Sequence, residues 1–313
     1  MKQTIHHSIV LPIYNEKDSL EELFSSCEDF FAKRKETIEF ICIDDGSTDG
    51  SFEEMLRIKK RIRSHMIIIK FRKNLGKSAA LSAGFLYTHG QLVITLDADL
   101  QDDPSQLGAA IKEIRENRAD FIVGWRKDRN DRREKIRLSH MFNGVVSRFF
   151  SVSLHDMNCG LKVMKREVAS ELELYGELHR YIPVLAASRG FRVSEVVVSH
   201  HERKFGKSKF GSERIIRAAF DLVTTLFITS FKTRPLHVFG LAGGLMGVAG
   251  LLPLFYLTYL HFIGISIGRR PLLLMGVLFV VCGIQLFSTG LLAELLVNFQ
   301  EKKHQYPIDT IIN

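Results

Sequence analysis

Two long stretches without a charged residue set the strongest limit on what this chain can fold into. No Asp, Glu, Lys or Arg occurs from Pro235 to Gly268, and none from Pro271 to Ala293. Each stretch supplies the ~20 apolar residues that cross a bilayer as a helix. The break at Gly268-Arg269-Arg270 reads as a tight polar turn, so the pattern predicts a two-helix transmembrane hairpin over residues 235–300. A buried helical pair in a soluble protein is the alternative. Lys232, Arg234, Lys302 and Lys303 flank the open ends, against Arg269 and Arg270 at the turn, which favours both ends inside. The first apolar stretch, Ser8 to Ile13, is too short for the hydrophobic region of a signal peptide. The expectation is therefore an integral membrane protein with two spans, its globular part and both termini cytoplasmic.

The first 125 residues have a different rhythm. Short apolar runs at Ser8–Pro12, Phe40–Ile43, Met66–Phe71, Leu92–Leu96 and Phe121–Val123 read as strands. Helical patterns lie between them, at Lys17–Lys33, Ser51–Arg61, Gly76–Thr88 and Pro104–Glu116. Such βαβα alternation predicts an α/β domain with a doubly wound, mainly parallel sheet. Pro104 suits the first position of a helix, with Asp103 as its cap. Further on, Leu161–Met164 and Val193–Val198 read as strands that complete the sheet, and Ser139–Phe150 as a helix with one apolar face. Ser212–Phe231 reads as an amphipathic helix suited to a membrane interface. The expected organisation is a globular domain over 1–211, the interfacial helix over 212–234, the hairpin over 235–300 and a short tail over 301–313.

Polar motifs follow the apolar runs. Pro12-Ile13-Tyr14-Asn15-Glu16 ends the first strand, Asp44-Asp45-Gly46-Ser47-Thr48-Asp49-Gly50 the second, and Asp97-Ala98-Asp99-Leu100-Gln101 the fourth. In a parallel sheet all three share the carboxyl edge, where open α/β sheets bind ligands. Carboxylates at i and i+2 after a strand make a hard oxygen site for a divalent cation, which commonly holds substrate phosphates. A polar loop closing a strand is the plain alternative for an isolated Asp-x-Asp. The Asp45 loop is not a calcium-binding EF-hand, because its twelfth position is Leu56 and not Glu. Gly76-Lys77-Ser78 is not a phosphate-binding P-loop, because the earlier glycine falls at Phe71. His6, His7, His65 and His89 lack metal-ligand spacing and read as surface or packing residues.

The net charge of +8 calls for an anionic partner or surface. Arg126, Lys127, Arg129, Arg132, Arg133, Lys135 and Arg137 form one basic cluster; Arg203, Lys204, Lys207, Lys209, Arg214 and Arg217 form another. The aromatic interleaving of a nucleic-acid groove is weak, so no nucleic acid is expected. Anionic headgroups and phosphate ligands fit better beside a membrane hairpin. Cys27, Cys42, Cys159 and Cys282 have no paired spacing, which argues against zinc and disulfides and for a reducing compartment.

Taken with Asn74-Leu75-Gly76-Lys77, the three strand-end motifs resemble those of family 2 glycosyltransferases with a GT-A-type nucleotide-sugar fold. Later segments narrow the resemblance: Gly124-Trp125-Arg126, Asp156-Met157-Asn158-Cys159-Gly160-Leu161-Lys162, His179-Arg180-Tyr181-Ile182-Pro183 and His201–Phe210 are similar to polyprenyl-phosphate glycosyltransferases. That group includes dolichyl-phosphate mannose synthases and undecaprenyl-phosphate glucosyltransferases. The resemblance runs from about Ser8 to Val297; Gly90-Gln91 departs from it, where Gly-Asp is expected.

This resemblance implies an inverting transfer of a sugar from a UDP- or GDP-linked donor to a polyprenyl phosphate at the cytoplasmic face of a bacterial membrane. Pro12, Tyr14, Glu16, Asp44, Asp45, Lys77, Asp97 and Ala98 would bind the donor. Asp97, Asp99 and Gln101 would hold Mg²⁺ or Mn²⁺, which bridges carboxylates and diphosphate and neutralises charge on the leaving group. Arg126 and Arg203 would contact phosphates, with Lys209 and Ser139 on the acceptor side; an arginine fork matches phosphate oxygens. Asp156 would orient or deprotonate the acceptor, or else buttress the Asn158–Lys162 segment or the metal shell. A homo-oligomer is allowed. Two alternatives stand beside this reading. A polysaccharide synthase would usually carry a Gln-x-x-Arg-Trp motif, which Trp125 does not provide. An inactive nucleotide-sugar-binding membrane scaffold would not need the intact carboxylates.

Overall fold

A computed structural model describes residues 5–127, 154–199, 235–268, 270–299 and 308–312. The chain divides into two units, Met1–Asp221 with Gln305–Asn313, and Leu222–His304.

The first unit is built on one eight-stranded sheet. Its strands are β1 (His7–Ile13), β2 (Ile38–Asp44), β3 (His65–Phe71), β4 (Leu92–Thr95), β5 (Phe121–Arg126), β6 (Lys162–Lys165), β7 (Val193–Val198) and β8 (Ile308–Ile312). The spatial order is β7-β5-β6-β4-β1-β2-β3-β8. β1 pairs in parallel with both β2 and β4, and β2 with β3. These inner strands are continuous apolar runs because both faces are covered; β2 is buried at every position. Helices α1 (Leu20–Lys33), α2 (Ser51–Lys59), α3 (Lys77–Phe85) and α4 (Leu107–Arg115) follow β1 to β4 in turn. α1 buries Leu23, Phe24, Cys27 and Phe31, and Phe24 meets Phe40 of β2 edge-on at 4.9 Å. α3 lies close on the sheet through Gly84, where a Cβ would stand 2.5 Å from Val10 Cγ1. As the sequence suggests, Pro104 opens a helical turn and the Asp103 carboxylate accepts from Ser105 N at 2.8 Å.

The alternation predicts the mainly parallel character of the sheet but not two of its members. β6 runs antiparallel to both β4 and β5, and β5 then pairs in parallel with β7. Two short helices, α5 (Arg166–Glu171) and α6 (Ile182–Ser188), connect β6 to β7. The tail holds β8, which pairs antiparallel with the edge of β3, Ile69 opposite Ile311. The expected helices at Ser139–Phe150 and Ser212–Phe231 lie outside the described residues, as do most of the first basic cluster and all of the second.

In the second unit, α7 (Pro235–Phe262) and α8 (Pro271–Phe299) pack against each other, and each is long and apolar enough to cross a membrane. Only 11% of the most apolar stretch of each is buried, with Leu245, Leu252, Phe255, Leu274 and Leu278 facing outward. That surface does not belong to a soluble core helix. Small residues bring the helices together, the means by which helices pack in lipid. A Cβ on Gly243 would lie 2.6 Å from Gly283 O, and one on Gly250 2.6 Å from Gly276 O. Glu294 accepts from Leu236 N at 3.2 Å, a carboxylate on the positive end of α7.

Candidate active site

The strand order changes direction at β1, with β2 and β3 on one side and β4 on the other. A crevice opens there, outside the strands' carboxyl ends. It is a cleft of about 280 Å³. Pro12, Tyr14 and Glu16 line it from the β1 end, Asp45 from the β2 end, Asn74, Gly76 and Lys77 from the loop that opens α3, and Asp97, Ala98 and Asp99 from the β4 end. Strand-end motifs far apart in sequence thus meet because parallel strands deliver them to one edge.

Hydrogen bonds stitch the loops of this edge together. Asn15 has φ 56°, a left-handed conformation that an asparagine tolerates. Its Oδ1 accepts from Thr48 N at 2.8 Å, and its N donates to Ser47 Oγ at 3.0 Å. Asp45 accepts from Leu75 N at 2.7 Å through one oxygen and from Gly76 N at 2.9 Å through the other. It therefore shapes the loop that presents Lys77. Burial pushes the Asp45 carboxyl up, against the pull of these two backbone donors. Asp44 is fully buried and does not line the cleft; its Oδ1 accepts from Ser47 N at 2.9 Å, and among the described residues its Oδ2 has no hydrogen-bond partner. Adjacent residues at a strand end point to opposite faces, which separates Asp45 in the cleft from Asp44 outside it.

In the Asp97–Gln101 turn, Leu100 takes φ 61°, strained for a leucine. The turn brings Gln101 N within 3.3 Å of Asp99 Oδ1. Asp97 forms an ion pair with Lys77. Desolvation raises its carboxyl, but Lys77 beside it, with Lys162 and His179 nearby, outweighs this and holds it at about 2. Among the described residues no three His, Cys, Asp or Glu side chains form a preformed metal cage. Asp97, Asp99 and the Gln101 amide would instead offer a partial set of hard oxygen ligands. That chemistry fits Mg²⁺ or Mn²⁺, whose remaining positions substrate phosphates and waters normally fill.

Arg126, at the end of β5, and Asp156 do not line this cleft; they form a bidentate pair, Nε to Oδ2 at 2.6 Å and Nη2 to Oδ1 at 3.1 Å. Both side chains are largely buried, and Trp125 stacks on His155 at 4.0 Å in the same stretch. Ser139, Arg203 and Lys209 lie outside the described residues. Three contributors carry no role in the sequence reading: Ser78, His179 and Lys162. Ser78 Oγ lies 3.0 Å from His179 Nδ1 and accepts from His179 N at 2.9 Å, tying the turn at Leu178–Arg180 to the start of α3. Burial first, then Lys77, Arg180 and Lys162, hold His179 well below the usual imidazole range. The visible signal for Lys162 was a lysine inside an otherwise apolar strand.

Solved structures share this architecture. Mannosyl-3-phosphoglycerate synthase from Rubrobacter xylanophilus matches with a TM-score of 0.56 over 72% of this chain and 75% of its own, at 16% identity. A mannosyltransferase from Pyrobaculum calidifontis, in complex with GDP-Man and Mn²⁺, matches with a TM-score of 0.54 over 96% and 77%, also at 16%. The fold is that of the GT-A glycosyltransferases. Residues 8–173 match the family described as Glycosyl transferase family 2, and the chain belongs to that family. Dodecaprenyl-phosphate galacturonate synthase of Rhizobium johnstonii is 35% identical over 298 residues, 94% of this chain and 88% of the relative. Undecaprenyl-phosphate 4-deoxy-4-formamido-L-arabinose transferase of Pseudomonas aeruginosa is 34% identical over 92% of this chain and 84% of its own.

Proposed function

We propose that this glycosyltransferase moves a sugar, with inversion, from a UDP- or GDP-linked donor to a polyprenyl phosphate at the cytoplasmic face of a membrane. The observation that carries the reading is the cleft between β1 and β4, where Asp45, Lys77, Asp97 and Asp99 converge. Two relatives covering nearly the whole chain, each named for a polyprenyl phosphate and a sugar, support the acceptor class.

Pro12, Tyr14, Glu16 and Ala98 would shape the donor site, with Asp44 bracing its wall from behind. Lys77 would meet the donor diphosphate. Asp99 and Gln101, with Asp97 adjoining, would hold Mg²⁺ or Mn²⁺, which when bound offsets charge on the departing diphosphate. The acceptor phosphate has its second pKa near ~6 and is mostly ionised at neutral pH, so it needs no strong base. One of its oxygens forms a bond to the anomeric carbon as the bond from that carbon to the donor diphosphate breaks in line. The nucleoside diphosphate leaves and the configuration inverts. Asp156, held by Arg126 through both oxygens, suits an orienting role better than proton removal. Arg203, Lys209 and Ser139 would bind phosphates, while Arg126 would keep Asp156 in place.

The hairpin would span the membrane and keep the globular unit at its surface. β8 follows α8 in the chain yet pairs with β3, which supports two crossings with both ends on one side. Inverted membrane vesicles, cytoplasmic face outward, supplied with undecaprenyl phosphate, Mn²⁺ or Mg²⁺ and labelled UDP- and GDP-sugars, test the reading. Label should enter lipid with at least one donor. Transfer only after the vesicles are opened would overturn the cytoplasmic placement, and no transfer with folded protein would overturn the function.

A further inference from the structure

The segment His179-Arg180-Tyr181-Ile182-Pro183 has no part in the roles assigned above, yet it touches the helix that carries Lys77. The chain between α5 and α6 meets α3, and two serines hold it there. Ser78 and Ser82 stand one turn apart on the same face of α3 and are 0% and 6% exposed. Each accepts a backbone N–H from that chain at 2.9 Å, Ser78 from His179 and Ser82 from Leu174. Ser82 Oγ also donates to Leu174 O at 3.2 Å, and Ser78 Oγ lies 3.0 Å from the ring nitrogen Nδ1 of His179. Leu174, Leu178 and Tyr181 are buried beside these bonds, so the segment is fixed to the core as well as to the helix.

Of the two contacts, only the one at Ser78 adjoins a residue of the cleft. Gly76 precedes α3 and has no side chain to cap it, so the first turn is held from outside. On one flank Asp45 accepts from Leu75 N at 2.7 Å and from Gly76 N at 2.9 Å. On the other, His179 engages Ser78 through its backbone and its ring. Lys77 sits between these two restraints. Its side chain pairs with Asp97, and the two are about one-third exposed, at 31% and 34%. A lysine placed in this way can leave Asp97 for an incoming anion while its backbone stays where it is. Its four-carbon stem is flexible, so the ammonium is aimed only as well as the root of the stem is fixed.

We propose that His179 is a positioning residue, which fixes the root of Lys77 through Ser78 so that the ammonium reaches either Asp97 or the donor diphosphate. This rests on the transfer reading above and joins the His179 segment to the donor site. It also separates the two serines: Ser78 serves Lys77, and Ser82 serves the fold.

Two measurements test it. One is calorimetric binding of UDP and of GDP in Mn²⁺. The other is the rate at which an amine-reactive reagent labels Lys77 without nucleotide, read by mass spectrometry against Lys112, whose side chain is 69% exposed. His179→Phe keeps the bulk of the ring; it should weaken the nucleotide that binds wild type about tenfold and raise Lys77 labelling about threefold, with Lys112 unchanged. His179→Asn, whose amide can reach Ser78 from the place of Nδ1, should recover most of both. In a Lys77→Met background, His179→Phe should cost less than about twofold in binding. Ser82→Ala should lower the melting temperature and move neither readout. Wild-type binding and labelling in His179→Phe, an equal loss of binding with and without Lys77, or equal losses from Ser82→Ala and His179→Phe would overturn the proposal. If His179→Phe does not fold, Ser78→Ala takes its place with the same expectations; if neither folds, the contact serves the fold and the positioning role is overturned. Wild type that binds neither nucleotide would count against the transfer reading, while the labelling of Lys77 would still decide whether His179 holds it.

Discussion

The two ends of the sheet make an instructive pair. Both gather charged groups around a depression, and the depression at the amino ends of the strands is the larger, about 1480 Å³ against about 280 Å³ at the carboxyl ends. His6, His7, His65, His89, Glu39 and Arg115 line the larger one. Its charges are matched internally. The fully buried Glu39 accepts from Ser8 Oγ and His89 N, with His89 Nδ1 at 3.1 Å. Glu36 is held by His7 at 2.8 Å and Arg115 at 2.6 Å. At the carboxyl end the Lys77–Asp97 pair is open to solvent. Size does not mark the site. Exchangeable charge does, because a group committed to fixed internal partners has little left to offer a ligand.

Substitutions at each end can break this contrast. Asp99→Ala should have the largest effect, lowering sugar transfer about 100- to 1,000-fold while the melting temperature stays near that of wild type. Activity that survives the change would remove Asp99 from the metal site. Glu39→Ala should do the reverse. It strips the acceptor from buried donors at a cost of about 3 kcal/mol, or roughly a 10 °C drop in melting temperature, with the folded fraction still transferring sugar at the wild-type rate. Loss of activity without loss of stability would give the amino end a catalytic role.

The smallest effect is a pH dependence. Burial is the main cause that lowers His7 from 6.5 to about 4, and its bond to Glu36 only partly opposes it. The unfolded chain therefore takes up this proton first as the pH falls. The stability contribution is complete above pH 6.5, declines between 6.5 and 4, and is gone below that, about 2 kcal/mol being lost by pH 5. His7→Gln, which keeps a polar partner for Glu36, should flatten melting temperature against pH over that window. An unchanged slope would mean that His7 is not the titrating group.

The carboxyl-end site was largely legible in the sequence, because parallel strands bring every strand-end motif to one edge, and Pro12–Glu16, Asp45 and Asp97–Asp99 each follow an apolar run. Sequence could not separate Asp44 from Asp45, since a one-residue difference in facing depends on where the strand ends. Nor could it give β6 its direction, as an apolar run of four or five residues carries no sign of parallel or antiparallel pairing. That direction is what sets Lys162 opposite Thr95, two residues before Asp97. The amino-end histidines looked scattered because His7, His65 and His89 sit at or just before the starts of three different strands and meet only in the sheet. β8 went unread because Ile308–Ile312 is too short to show a period.

β8 also sets an order on how the protein is made. The strand that covers β3 leaves the ribosome only after both long apolar helices. Until then β3 is an open sheet edge, rich in isoleucine and ready to pair with whatever strand it meets. Completion of the globular unit therefore waits on the two apolar helices, although every residue of the cleft is synthesised long before them.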